Sequence, residues 1–503
     1  MAEKLNQKIA IGYFWNLVAK WINRTIGVVS TLILVRILQP VDFGIAALAT
    51  IVLALFMMLS EVGTDKYVIK AKECTTELLN SAWSLNIFLK LICALILALM
   101  SGVVADFTNE PVLRNVLLVS SLIPIIGSFK NIGLALYERE LNYKPLTRLT
   151  VWVKIAVFPV TITLAFWLQN YWALIVGLLT SEILTVAGSY RIHSFRPQWT
   201  VTQWREQWGF SQWMVISTTT GYIRSRIDAL LLGRYLPSEA VGTYRVSQEF
   251  AWLPFTELIA PATSSFYSGI SKISDDKDEL RNKVAQYLTV TYLLVIPSAI
   301  GIYALQEQIV IVVLGEKWQA AIPILGLLSL LMLSMPLNIA LQTVLVNLSK
   351  VKYMVALDGV MITLIIGGFY FLHQNQVSEL LVYTEFRVLL VLVFISLLMV
   401  IYKRVLGLGF IRLCLTCFVP LIPGVIMYWC IKQAEGMLDV PVYVSLMLLI
   451  LLGVFVFVPL IIVATIACKR VSPDYENIYS LMIYVSTKIQ RKMFLRKVSG
   501  NAK

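Results

Sequence analysis

The chain is short of charge. Asp, Glu, Lys and Arg make up only 14% of its 503 residues, where soluble domains carry about 25%. It also has two histidines only, His193 and His373, far apart in the sequence. That excludes a metal site built on imidazoles. Six cysteines lie mostly inside or at the ends of apolar segments. Cys414 and Cys417 form a C-x-x-C within an apolar helix, so they read as small core residues and imply no disulfide framework. There is no nucleophile–base set, no phosphate-binding glycine loop and no inserted soluble domain. Enzymatic chemistry and a bound cofactor are therefore not expected.

What is present is apolar length. The residues are 58% hydrophobic and the mean hydropathy is +0.78. A helix of about 20 apolar residues crosses a bilayer core of about 30 Å. The pattern predicts fourteen such spans, near 11–35, 43–62, 83–105, 113–136, 148–168, 172–190, 211–234, 241–267, 286–306, 321–347, 355–372, 379–402, 413–432 and 442–467. The short alternating segments of a β-barrel are missing. The expected fold class is an all-α polytopic membrane protein. No cleavage site follows the opening MAEKLNQKIA, so the first helix is expected to be retained.

An even number of spans places both termini on one side. The terminal segments and every second loop hold 28 Lys and Arg, the opposite loops 5. This bias predicts cytoplasmic termini. It explains most of the +13 net charge without nucleic acid. In the tail, 469–503, Ile478, Leu481, Met482, Val485 and Ile489 recur at helical spacing among eight basic residues. That suggests a basic amphipathic helix on the inner membrane surface.

VRILQPVDFG (35–44) has a relative in GRYLPSEAVG (233–242). An offset of 198 lays Trp15 on Trp213, Arg36 on Arg234, Leu38 on Leu236 and Gly44 on Gly242. Each motif joins one span to the next. Proline and an acid suit a helix start, and glycine allows close packing. Six spans separate the copies, so both halves run in the same direction, a parallel repeat. The expected domains are six-helix bundles at 1–205 and 206–405, two additional helices at 406–468 and the basic tail at 469–503.

Nine cations remain inside spans. Lys90, Lys130 and Lys154 lie six or seven residues from cytoplasmic span ends, within snorkelling reach of the headgroups. Lys20 and Arg24 lie deeper, on one face of span one with Asn23, Gly27 and Thr31. Arg224 and Arg226 lie near the middle of span seven, the equivalent helix of the second half. Asp228 is placed to pair with Arg224, and Arg245 with Glu249. Glu182, near the middle of span six, either takes a coupling proton or pairs with a cation from another helix. Prolines inside spans, Pro124, Pro159, Pro254 and Pro297 among them, provide bends. Lys20, Arg24, Arg224 and Arg226 together predict a cationic cavity between the halves, suited to an anionic, phosphate-bearing substrate.

These motifs carry a family resemblance. VRILQPVDFGIAAL resembles the segment after the first helix of bacterial polysaccharide flippases. RSRIDALLLGRYLPSEAVGTYRVSQEF (224–250) resembles the matching stretch of their second half, and VLGEKWQAAIPILGLLSL (313–330) their outer loop before span ten. The chain departs from the family at Gln39 and Pro237, both turn positions. The resemblance is to the polysaccharide transporter (Wzx-type oligosaccharide flippase) branch of the multidrug/oligosaccharidyl-lipid/polysaccharide exporter superfamily. It implies two six-helix bundles in a V. It also implies alternating-access movement of polyprenyl-pyrophosphate-linked oligosaccharide across the bacterial inner membrane, for exopolysaccharide, capsule or lipopolysaccharide O-antigen. Expected partners are that lipid, membrane lipids, and polysaccharide polymerase and export machinery. One chain suffices for alternating access, so a monomer is expected. The alternatives are a cation-coupled multidrug exporter of the same superfamily and a membrane polysaccharide polymerase or ligase. Basic residues in span one argue against the first, and short outer loops against the second.

Overall fold

The computed structural model describes residues 2–480, apart from 61–63, 72, 203, 260–262, 264–265, 267–269, 271–272, 274–275, 349, 351 and 471. The described residues form helices and connecting turns, with no strand among them. The first helices are α1 (Ala2–Ile37), α2 (Pro40–Ser60), α3 (Thr64–Lys70), α4 (Thr76–Phe107), α5 (Val112–Ser120), α6 (Leu122–Ser128), α7 (Leu134–Arg139), α8 (Lys144–Leu168), α9 (Trp172–Ile192), α10 (Trp204–Tyr235) and α11 (Ser238–Pro254). A wider π-turn, Phe255–Ile259, extends α11 past Pro254. Then come α12 (Lys277–Ala304), α13 (Ala321–Leu330), α14 (Met335–Asn347), α15 (Lys352–Gln374), α16 (Leu380–Leu406), α17 (Phe410–Glu435) and α18 (Val442–Cys468).

Among the described residues each expected span falls mainly on helix, 129–133 of the fourth excepted. Eleven of the described helical stretches are long and apolar enough to cross a membrane. The other three expected spans are the interrupted Val112–Ser128 stretch and the more polar α10 and α11. The fourth span, expected as one run over 113–136, is broken at Ser121 and ends at Ser128, with Pro124 within its second piece. The tenth span is likewise interrupted by a tight turn at Leu331–Ser334.

The described chain packs as two compact units, Met1–Arg245 with Phe369–Ser378, and Val246–Gly368 with Glu379–Lys503. The expected halves follow sequence recurrence, whereas these units follow packing, so the two are different partitions. In the first unit α1 lies along α8, α8 along α9, and α10 along α2. In the second, α12 carries α13 and α17, and α17 carries α18. Met427 and Ile431 of α17 pack with Leu449, Phe457 and Ile461 of α18 and Ala304 of α12, which fixes the additional pair to this unit.

The repeat register is written in the helix ends. α1 stops at Ile37 and α10 at Tyr235; α2 starts at Pro40 and α11 at Ser238. Both intervals are the 198 residues of the alignment. The two motifs also touch, at the end of the first unit opposite the N-terminus. A Cβ on Gly44 would lie 1.7 Å from the Ser238 carbonyl oxygen, and one on Gly242 would lie 1.9 Å from the Pro40 carbonyl oxygen. Gly44 is offset from Gly242, and Pro40 from Ser238, by the same 198. Two backbones therefore meet reciprocally, as close helix pairs do where glycine lets a carbonyl reach a Cα–H.

Polar contacts reinforce this junction. Asp42 accepts from the Gln39 amide at 2.9 Å, closing the start of α2, and from the Tyr171 amide at 3.0 Å, at the start of α9. One carboxylate thus serves two helix N-termini, where the helix dipoles favour negative charge. The Arg234 guanidinium donates to the carbonyls of Asp106 (3.4 Å) and Phe107 (2.9 Å), and Asn109 donates back to the Arg234 carbonyl at 3.3 Å. The Ser238 hydroxyl donates to Glu110 at 2.6 Å, and Tyr235 stacks on His373.

At the N-terminal end of the unit, residues 193–202 form a strap on α4. The Gln198 amide donates to Asn80 (2.8 Å), the Thr200 amide to Ser84 (2.9 Å), and the Ser81 hydroxyl to the Thr202 carbonyl. The Phe195 amide donates to His193 Nδ1 at 3.1 Å. Burial lowers the His193 pKa from its usual range, opposed by Glu140 and assisted by Arg196. The neutral ring keeps Nδ1 an acceptor.

Of the apolar tail positions, Ile478 is buried against Val419 and Tyr475. Arg412 forks onto the buried Asp474 at 2.7 and 2.6 Å, so the tail begins pinned to the protein. Leu481, Met482, Val485 and Ile489 lie outside the described residues.

Two outcomes follow. Gly44→Val and Gly242→Val each force the two backbones apart, at about 1–3 kcal/mol. Each should abolish disulfide cross-linking between cysteines placed at 109 and 234. Gly27→Ala, which meets nothing within 4 Å, should not. For His193 the folded pKa is depressed, so its contribution is present at high pH and lost as pH falls through that value. Amide exchange should show the Phe195 N–H losing protection on acidification before the α4 core does.

Candidate functional site

Among the described residues the first helix of each repeat packs most extensively on one neighbour. α1 leans on α8, where the Thr147 hydroxyl donates to the Trp15 carbonyl at 3.2 Å. α10 leans on α2, with Leu48 against Gly233 and the Tyr222 hydroxyl on the Ile51 carbonyl at 2.9 Å. Little of α1 is covered: 11% of its most apolar window is buried. That leaves room for its polar stripe. Lys20 is exposed, and Asn23 and Arg24 are half-buried. On α10, Arg224 and Arg226 are half-buried and Ser225 is exposed. At about 1.5 Å per residue, Arg24 lies about 20 Å from the far end of α1 and Arg224 about 17 Å from the far end of α10. Both depths fall well inside a 30 Å apolar layer. Asn23 Oδ1 and Thr219 Oγ1 are buried without a hydrogen-bond partner among the described residues, two positions apart in the repeat alignment.

Asp228 is buried and accepts from the Tyr244 hydroxyl at 2.9 Å and from the Ala229 amide at 2.8 Å. The expectation looked only along its own helix, to Arg224; the structure ties one of its oxygens to α11. Arg226 and Arg245 both act electrostatically on the Tyr222 hydroxyl. The Tyr244–Asp228 hydrogen bond thus joins α10 to α11, with Arg226 two residues before Asp228 and Arg245 directly after Tyr244 in the chain. Glu249 is exposed.

Glu182 belongs to a different cluster. Its carboxylate lies against Gly127, where a Cβ would come within 2.3 Å of Oε1. Lys90 is buried and donates to the Gly127 carbonyl at 3.3 Å. Snorkelling was expected for Lys90; the stem instead runs inward, because the break after α6 offers a carbonyl there. Lys154 is exposed.

Three residues were not singled out in the sequence. Tyr222 and Tyr244 gave no signal, since a tyrosine in an apolar helix is ordinary. Asp358 did: it is the only acid in α15 and it is buried, and a lone intramembrane carboxylate is a functional mark by itself. Among the described residues no group of three or more His, Cys, Asp or Glu is placed to hold a metal ion.

The structure thus carries cations inside two repeat-related helices and a tight junction between the helices that follow them. A family model described as polysaccharide biosynthesis protein matches residues 33–323, more than half of the chain. The chain belongs to that family. It is 25% identical over 328 residues to the lipopolysaccharide biosynthesis protein WzxC of Escherichia coli (strain K12), covering 64% of this chain and 67% of the relative. It is 24% identical over 321 residues to the succinoglycan biosynthesis transport protein ExoT of Rhizobium meliloti (strain 1021), covering 63% and 64%. The chain thus spans about two thirds of these relatives' length. Among solved structures it is similar in fold to the lipid II flippase MurJ in an inward closed conformation. There the TM-score is 0.71 at 14% identity, over 91% of this chain and 99% of that one. A multidrug resistance MATE family transporter of the MOP superfamily, inward-facing, matches with a TM-score of 0.51 at 11% identity, over 75% and 95%. The fold is thus a multi-pass, all-α one.

Tyr244→Phe deletes a hydrogen bond to a buried carboxylate and should cost about 1.5–3 kcal/mol. Thermal unfolding of the purified protein in detergent measures this. A silent Tyr244→Phe would mean that Asp228 is held by its own helix alone.

Proposed function

We propose that this protein moves polyprenyl-pyrophosphate-linked oligosaccharide repeat units across the bacterial inner membrane for surface polysaccharide synthesis. The observation that carries the reading is Arg24, Arg224 and Arg226 well inside the apolar layer on α1 and α10, with Lys20 one turn from Arg24 towards the N-terminus. Arginine forks match phosphate oxygens, and a site with little water strengthens that match. Membership of the polysaccharide biosynthesis family and relatives named for lipopolysaccharide and succinoglycan biosynthesis support the substrate class.

In this reading both termini are cytoplasmic, as the basic bias indicates. The Gly44–Gly242 junction then closes the outer side, and the cations are reached from inside. Pyrophosphate binds between α1 and α10, the outer contacts part, and the lipid leaves towards the outer leaflet. Asp228 and Arg245 position the α10 cations through the α10–α11 contact. One chain completes the cycle, and polymerase and export machinery take the product.

The test is complementation of a strain lacking its own flippase. Arg24→Ala and Arg224→Ala should reach the membrane at normal levels yet lower surface polymer about 10–100-fold, the loss of one charge-assisted contact each. Full polymer in both variants would refute the cationic site. Drug resistance conferred without polymer would move the substrate to the multidrug class.

A further inference from the structure

Lys90 and Glu182 belong to α4 and α9, not to the two helices that carry the substrate cations. Lys90 is the fifteenth of the 32 residues of α4. Glu182 is the eleventh of the 21 residues of α9. Each is thus mid-helix, where an ionisable group costs about 2.5–3.5 kcal/mol to insert. They converge on the broken fourth span. Lys90, 8% exposed, donates to the Gly127 carbonyl at 3.3 Å, and the Glu182 carboxylate occupies the space a side chain at 127 would fill. Gly127 has ordinary helical φ, so it is the carboxylate, and not the backbone, that demands glycine there.

The surroundings are otherwise short of acid. α6 has no ionisable residue, and Lys130 in the turn after it is half-buried. α5 contributes only Arg114, exposed near its start. α8 runs along α9, with Leu149 against Gly188 and Thr161 against Gly177, and carries the exposed Lys154 between those contacts. The acids of α4, Glu77 and Asp106, are in its first and last turns. Among the described residues Glu182 is therefore the one carboxylate in the interior of α4, α5, α6, α8 or α9.

Glu182 is half-buried, and an ion pair in such a place adds little stability over apolar packing. A carboxylate that alternately holds and releases a proton has a use for one. We propose that Glu182 is the proton-coupling site of the transport cycle, with Lys90 as its charge partner. A hydronium on one side of the membrane gives its proton to the Glu182 carboxylate, forming the acid and water. The acid returns the proton to water on the other side. In between, Lys90 loses its opposing charge, and the contacts at Gly127 that join α4, α6 and α9 rearrange. This inference rests on the flippase reading for the transport it drives, but not for the protonation itself.

The experiment uses the full-length protein in liposomes, with two readouts. The first is infrared difference spectroscopy on acidification. Wild type should show a protonated-carboxyl band that Glu182→Gln lacks and Glu182→Asp retains. The second is movement of a fluorescent polyprenyl-pyrophosphate oligosaccharide with and without a proton gradient. One pH unit should change the wild-type rate by up to about tenfold, and the Glu182→Gln rate should not depend on the gradient. An unchanged band in Glu182→Gln, or a gradient response equal to wild type, overturns the proposal. If no lipid moves in wild type, the flippase reading fails, and the infrared comparison still decides whether Glu182 takes up the proton. Should Glu182→Gln fold poorly, Gly127→Ala, which sets a methyl on the carboxylate, is the second variant. It should shift the band, and an unshifted band counts against the site.

Discussion

The structure depends on a contact between two backbones. Gly44 and Gly242 let the starts of α2 and α11 come together, each presenting a carbonyl to the other's bare Cα. Any side chain at either position would hold the helices apart. Around this point the Arg234, Asn109, Ser238 and Glu110 contacts close one end of the first unit. By contrast, only 11% of the most apolar window of α1 is buried.

This contact also accounts for the repeated punctuation in the sequence. Arginine sits in the last turn of one helix, proline or serine starts the next, and glycine sits one turn later. Each element has a local cause, yet the motif occurs twice because the two copies pack on each other. A parallel repeat of this kind gives a carrier two equivalent helices on which to place its substrate cations.

Much of this was legible in the residues. Of the fourteen spans that hydropathy marked, eleven coincide with described helices long and apolar enough to cross a membrane, and the 198-residue offset set the register that the helix ends reproduce. The break in the fourth span was missed because Ser121 and Pro124 are tolerated in membrane helices and interrupt one only when neighbours satisfy the freed groups. The inward course of Lys90 was missed because its acceptor is a last-turn carbonyl of α6, which ends at Ser128 where hydropathy carried the span on to 136. Asp228 was assigned by i, i+4 spacing, which sees one helix; its partner Tyr244 comes from the next, and spacing carries no information about that. Asp358 was readable as a lone buried acid, and composition alone marked it.

The central claim is that the mid-depth cations recognise pyrophosphate. The most direct measurement is transbilayer movement in proteoliposomes of two fluorescent lipids with the same oligosaccharide and polyprenyl chain, one joined through pyrophosphate and one through an uncharged linkage. The account predicts that the protein moves the pyrophosphate lipid and leaves the neutral one at the rate of protein-free vesicles. Equal movement of both lipids would contradict it.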